Sequence, residues 1–283
     1  MIRLSVKSDY NDLIALWKEA FGDEEEAIKL FLNSRYIPDN TVVAEENGRI
    51  VSMLFLLEGK LYIKRKQYSS YYLYAAATAK SERGRGIMAE MLAFAERTAL
   101  NRKIDFICLK PAEESLYGYY SRFGYKSVFS YKTVRITDFK RFVSNESYHS
   151  DSQNDTIENR YQVFYETDAF IWDNDAVDYA VKQHIFYGGN VLELRKGLCL
   201  YNVEDTKCNV KAFCFTPDYF NNFIYDLISN NKIDEIDFDM PVSFYCDLGE
   251  AIIKTNGMAL AVSDYAKSVI DYIHDAYLSL TLD

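Results

Sequence analysis

Between Tyr71 and Leu100 a continuous apolar run, Tyr71–Thr78, gives way to a loop carrying Gly84 and Gly86, and then to a stretch with apolar residues at helical spacing. The run without alternation reads as a central strand covered on both faces. Ile87, Met88, Met91, Leu92, Ala95 and Ala99 fall on one face of the following helix, with Glu90, Glu96 and Arg97 turned away. A second buried strand, Ile104–Leu109, comes next. Buried strand, glycine loop, amphipathic helix and buried strand in close succession place the chain in the α/β class.

The flanking text agrees with that class. Ile2–Val6 reads as a short strand, after which Ser8 or Asp9 caps a helix bearing Leu13, Leu16, Trp17 and Ala20, ended by Gly22. The acids Asp23–Glu26 suit the first turn of a further helix, where the dipole favours negative charge. Thr41–Glu45 and Arg49–Leu57 flank Asn47-Gly48, the dipeptide of a tight hairpin turn. Pro111 opens a helix that Gly124 closes before a strand at Tyr125–Tyr131. From Phe142 to Asn159 the residues are Ser, Asn, Asp and Glu with almost nothing apolar, which marks a linker. Beyond it, Asp173 or Asp175 caps a helix through Tyr187. The strands Val191–Leu194, Leu198–Asn202 and Val210–Thr216, a helix at Asp218–Ser229 and a strand at Ile233–Val242 follow. Thus the second half echoes the first without its glycine loop. The expected organisation is residues 1–142 as one domain, 143–159 as linker and 160–283 as a second domain.

Composition narrows the chemistry. A formal charge of −10 argues against a nucleic-acid surface, which needs clustered cations to displace counterions, and fits a cationic or amine partner. The five cysteines form no C-x-x-C pair, and His149, His184 and His274 lie far apart, so no metal is expected. No apolar run approaches the roughly 18 residues that span a bilayer, and MIRLSVKSDYNDL has no apolar signal core; the expectation is a cytoplasmic protein without a membrane partner.

The loop TAKSERGRGIMAEML supplies unpaired N–H groups at a helix start, glycines that admit close approach, and the cations Lys80, Arg83 and Arg85. These suit a polyanion such as a diphosphate. The same pattern also arises from a solvated basic turn, and it is neither a Walker loop, lacking G-K-[ST], nor a dinucleotide fingerprint, since position 89 is Ala89. Arg83 and Gly86 resemble the first and fourth positions of the [QR]-x-x-G-x-[GA] motif of the GNAT superfamily of N-acetyltransferases, with Met88 where Gly or Ala is usual. Downstream, LYGYYSRFGYKSV resembles the family's F-Y-x-x-x-G-F motif through Tyr119, Tyr120, Gly124 and Tyr125. The segment Tyr120, Arg122, Phe123, Gly124, Tyr125 resembles Y-x-R-F-G-Y of the enhanced-intracellular-survival acetyltransferases, in which a degenerate GNAT-like domain follows the catalytic one.

The resemblance implies a GNAT-type mixed sheet flanked by helices, then a second degenerate GNAT-like domain, without the sterol-carrier-like third domain of that subgroup. It implies acetyl-CoA as co-substrate. The thioester arm would lie on the backbone of Ala76, Ala77 and Thr78, the diphosphate on the N–H groups of Arg83, Gly84, Arg85, Gly86, Ile87 and Met88, and Ser115 would stand in for a coenzyme-binding Asn. Tyr120 takes the general-acid position, and a phenol with a pKa near 10 is protonated at neutral pH and able to donate to a leaving thiolate. The expected reaction is acetyl transfer to a primary amine. Alternatives are a protein or peptide N-acetyltransferase and a non-catalytic acyl-CoA sensor. No base is marked by spacing: Asp234, Asp237 and Asp239 alternate along a strand, either as its solvated face or as one side of an acceptor cleft. Entry of the Asp283 carboxylate into the site, the subgroup's habit, stays open.

Overall fold

The computed structural model describes residues 1–142, 167–194, 197–215, 220–244 and 251–280. In chain order the strands are β1 Ile2–Leu4, β2 Thr41–Glu46, β3 Arg49–Ile63, β4 Lys66–Thr78, β5 Phe106–Leu109, β6 Lys126–Ile136, β7 Ala169–Trp172, β8 Asn190–Leu194, β9 Gly197–Glu204, β10 Lys207–Phe215, β11 Glu235–Met240, β12 Ala251–Ala261 and β13 Tyr277–Leu278. The helices are α1 Tyr10–Phe21, α2 Glu25–Arg35, α3 Ile87–Asn101, α4 Ser115–Ser121, α5 Asn174–Phe186, α6 Phe220–Asn230 and α7 Asp264–Val269. This mixed α/β chain divides into two compact units. The first comprises Met1–Leu61, Gln67–Ser127 and Gly257–Tyr272; the second comprises Tyr62–Lys66, Val128–Asn256 and Ile273–Asp283. The expected linker lies outside the described residues.

In the first unit β1, β2 and β3 pair antiparallel, and the β2–β3 turn has Asn47 and Gly48 at φ of 50° and 75°, as the hairpin dipeptide requires. The sheet continues through β4 to β5, which is parallel to β4, and closes with Met258–Ala261 of β12 antiparallel to β5. One core cluster forms where α3 lays Met91, Leu92, Ala95 and Ala99 on Val42, Leu54, Leu56, Tyr71, Leu73, Ile107 and Leu109. Gly22 ends α1 at φ 80°, as expected.

Two expectations need correction. Asp9 holds the N-cap position of α1, but its side chain makes no capping bond there. Lys7–Asp9 form a 3-10 turn, and the Asp9 carboxylate folds back to accept from the Val6 N–H at 2.9 Å, Ser5 Oγ at 3.0 Å and both ends of the Arg3 guanidinium at 2.7 and 2.9 Å. A two-bond fork from a guanidinium, with further bonds from Ser5 and Val6, satisfies the carboxylate more fully than one helix N–H would. Nor does Pro111 open α4. The first helix-type bond runs from the Leu116 N–H to the Glu113 carbonyl, and the helix starts at Ser115, where turning begins to lay Leu116 and Tyr120 on the core.

The second unit repeats the strand–helix order of the first. β8, β9 and β10 pair antiparallel, α6 follows, and β11 returns parallel to β10. β6 completes the row antiparallel to β11, and β7 and β13 pair parallel to each other. Asp173 caps α5, accepting from the Ala176 N–H at 2.7 Å, and α6 buries Phe223, Ile224 and Leu227. The alternating acids of β11 are neither a bare wet face nor free groups. Asp237 accepts from Arg135 at 2.8 and 2.9 Å and pairs with Lys207 at 2.8 Å, which holds its carboxyl down at about 2. Asp239 accepts from Thr133 Oγ1 at 2.6 Å and faces Lys211 at 3.5 Å.

Candidate functional site

The site begins as a defect in a sheet. The β4–β5 ladder joins Ser70, Tyr71 and Tyr72 to Phe106, Ile107 and Cys108, yet β4 runs on to Thr78 while β5 ends at Leu109, paired on its other side with Met258. Ala75 interrupts the C-terminal half of β4 at φ 47°, a left-handed conformation that a strand residue adopts only when its surroundings enforce it. Beyond it, β4 is fastened to β3: Ser52 Oγ donates to the Ala77 carbonyl at 2.7 Å and lies 2.9 Å from Thr78 Oγ1, and the Ala79 N–H reaches the Val51 carbonyl at 2.8 Å. The β4–β5 ladder thus ends at Tyr72, while the backbone of Ala76, Ala77 and Thr78 continues β4 past the end of β5. Ala76 and Thr78 are half-buried and Ala77 is buried, and the side chains of this stretch are themselves small.

At the end of β4 the chain passes through the 3-10 turn Lys80–Glu82 into Arg83, Gly84, Arg85 and Gly86. Gly84 and Gly86 have φ of 80° and 82°, and a Cβ on either would meet nothing within 4 Å, so backbone angle rather than crowding demands glycine and the space above the loop is open. Gly86 is the N-cap of α3 and supplies no side chain to it; the first intrahelical bond is from the Glu90 N–H to the Gly86 carbonyl. The N–H groups of Ile87, Met88 and Ala89 thus precede any intrahelical acceptor and carry the positive end of a 15-residue helix. Ile87 and Met88 pack against the core cluster, so the larger residue in the motif's last position is absorbed inward.

The loop's charge differs from the expectation. Arg83 Nε donates to the Thr78 carbonyl at 3.0 Å. Arg85 forks onto Glu46, Nη1 to Oε2 at 2.8 Å and Nη2 to Oε1 at 3.0 Å, and Nη1 also meets Glu82. Glu19 accepts from the Lys80 N–H at 2.7 Å. Three carboxylates accompany the three cations, so the seat is close to neutral rather than cationic. Glu19 and Glu46 carry no local signal in the sequence because they arrive from α1 and β2; only Glu82, three residues before Arg85, lies within reach of a local pattern.

Tyr120 sits on α4 and is 8% exposed, packed edge-on against Tyr119 at 5.4 Å and Tyr125 at 5.5 Å between ring centroids. Burial, with a smaller contribution from Tyr119, pushes its phenol up to about 12. No described residue hydrogen-bonds its hydroxyl. The turn after α4 is held by the Phe123 N–H on the Tyr120 carbonyl at 2.9 Å and by Gly124 at φ 85°, where a Cβ would lie 3.3 Å from Leu260 Cδ1. Tyr120, Ala76, Ile87 and Met88 all belong to or pack on one core cluster. Ser115 lies apart from it, exposed at the first position of α4 and donating to Glu113.

Among the described residues no group of three or more His, Cys, Asp or Glu is arranged to hold a metal, and Cys108, Cys199 and Cys208 are buried free thiols. Among them, too, no helix is long and apolar enough to cross a membrane.

Comparison with known proteins gives this geometry a context. Residues 1–128 match the model of an acetyltransferase (GNAT) domain. No curated protein matches the chain in sequence. Among solved structures, a GCN5-related N-acetyltransferase from Anabaena variabilis superposes with a TM-score of 0.74 at 15% identity, over 93% of this chain and 73% of that one. A probable N-acyltransferase from Enterococcus faecalis aligns at 0.72 and 14%, over 93% and 72%. Eis1 from Mycobacterium abscessus aligns at 0.69 and 12%, over 93% and 74%. At these identities the superpositions speak for the fold.

Proposed function

We propose that this chain, whose residues 1–128 match the model of an acetyltransferase (GNAT) domain, moves an acetyl group from acetyl-CoA to a primary amine, with Tyr120 as general acid. The observation that carries the reading is that the β4–β5 ladder ends at Tyr72 while β4 runs on to Thr78, shortly ahead of a helix start with open N–H groups. A thioester arm can complete the β4 ladder along Ala76–Thr78, and a diphosphate can accept from Ile87 and Met88 and the glycine loop before them. Turnover belongs to the first unit, since the connection at 216–219 in the second reads Thr-Pro-Asp-Tyr and offers no glycine. That difference supports reading the second unit as a degenerate copy.

In the proposed reaction the neutral amine attacks the thioester carbonyl, forming a C–N bond and a tetrahedral oxyanion. Collapse breaks the C–S bond, sulfur takes the electron pair, and the proton on Tyr120 passes to it; the amine gives up its own proton to water. A phenol near 12 is a weak acid beside a thiol near 8.5 in water. The thiolate leaves into the same poorly solvated surroundings, however, and burial raises its basicity as it raises that of the phenol. The hydroxyl has no hydrogen-bond partner among the described residues, which supports this role, since none of them commits its proton.

Two measurements test the reading. Acetyl-CoA at about a hundred times its Kd should stabilise the protein by roughly 2.7 kcal/mol, seen as a rise in melting temperature. Release of free CoA thiol should then depend on an added amine, with polyamines, aminoglycosides and peptides as the panel. Stabilisation without release from any of them favours an acyl-CoA sensor, and release with peptides alone favours a protein acetyltransferase.

A further inference from the structure

Of the groups around the glycine loop, Glu46 and Glu82 are the ones whose presence a seat for a polyanion does not explain. Glu46 ends β2 and Glu82 ends the 3-10 turn, and between them they occupy the terminal nitrogens of Arg85, the residue flanked by the two left-handed glycines. The Arg85–Glu46 contact is a two-bond fork, the geometry in which a guanidinium also grips phosphate, so carboxylate and diphosphate oxygens compete for the same donors. Ser81 Oγ donates to Glu82 Oε1 at 3.1 Å, leaving Oε2 for Arg85. Arg83 is held by its Nε on the Thr78 carbonyl and has no carboxylate partner among the described residues, so the competition falls on Arg85.

We infer that Glu46 and Glu82 are affinity-setting residues for the coenzyme: they hold Arg85 as their own counterion, and the diphosphate of acetyl-CoA binds only by displacing them from it. This rests on the reading of the loop as the diphosphate seat. The result is a co-substrate held less tightly than the backbone donors alone allow, which favours release of CoA after transfer. The carboxylates also discriminate by charge: a donor thioester without the diphosphate gains nothing from Arg85 and loses nothing to the carboxylates.

The test is calorimetric titration of the full chain at low ionic strength with acetyl-CoA, and with acetyl-pantetheine, which has the thioester arm but no diphosphate. Glu46→Gln and Glu82→Gln keep side-chain shape and remove the charge. Each is expected to tighten Kd for acetyl-CoA about two- to fivefold, the range of an exposed ion pair, and to leave that for acetyl-pantetheine unchanged. The gain should shrink in 0.5 M salt and in the Arg85→Gln background, and in kinetics it should appear in KM for acetyl-CoA and not in kcat. Unchanged or weaker acetyl-CoA binding in both variants overturns the inference, as does an equal shift for acetyl-pantetheine. Failure of the parent protein to bind acetyl-CoA at all is a different result, which removes the functional reading and the inference with it.

Discussion

Tyr120→Phe removes one oxygen from a site where its loss can be separated from damage to the fold. The ring is buried against Tyr119 and Tyr125, and phenylalanine preserves both edge contacts. The hydroxyl has no hydrogen-bond partner among the described residues, so its removal orphans nothing, and the melting temperature should move by less than about 2 °C. General-acid assistance is typically worth ~10²–10⁴ in rate, or about 2.7–5.4 kcal/mol of barrier. A phenol raised to about 12 is a poor match for a thiol near 8.5, which places the expected fall in kcat toward the lower end, about 10²-fold, with Kd for acetyl-CoA unchanged. Charge adds a second signature. A phenol raised in the folded state favours folding fully below about pH 10, and that contribution is lost as pH climbs through 10 toward 12, so alkaline destabilisation should be shallower in the variant. For the same reason kcat of the parent should show no descending limb from this group below pH 10. Stopped assays of thiol release at saturating acetyl-CoA and acceptor read the rate, and denaturation at pH 7 and 11 reads the stability. A kcat within about threefold of the parent, in a variant that still binds acetyl-CoA, refutes the acid assignment.

Other positions give sharper structural tests. Gly124→Ala forces a Cβ into left-handed backbone 3.3 Å from Leu260 Cδ1 and should cost about 1–2 kcal/mol or slightly more, measured by urea denaturation. Asp9→Asn strips Arg3 of its main partner and should destabilise by about 1–3 kcal/mol at pH 7. The Arg3 guanidinium holds the Asp9 carboxyl below its usual range, so this stability is present above the unfolded value near 3.9 and is lost as pH falls through the lower folded value; the variant should therefore lose less than the parent between pH 5 and 3.

What the sequence disclosed and what it withheld divide along one physical line. Features decided within a few residues were legible: the Asn47-Gly48 turn, the Gly86 start of α3, the Gly22 stop, the Asp173 cap and the inward face of α6. Features decided by a partner far along the chain were not. Asp9 looked like a cap because Arg3 could not be seen folding over it. The loop looked cationic because Glu19 and Glu46 join it from other elements. The resemblance assigned Ala76 and Ala77 to a thioester arm, and nothing local announced that Ala75, just before them, turns left-handed. Motif spacing brought Tyr120 to attention among 24 tyrosines, while its unengaged hydroxyl became visible only with the surrounding rings in place.

The passage of β6 and β12 between the two units has a consequence for biosynthesis. Val128–Ile136 lies in the later unit, and Gly257–Ala261, made long after the rest of the first unit's sheet, supplies the strand that pairs with β5 in the earlier one. A ribosome therefore releases neither half as a finished body. Until Ala261 emerges, the outer edge of β5 lacks this neighbour and Met258 and Leu260 are missing from the core around Tyr120, so the first unit cannot finish folding before that point.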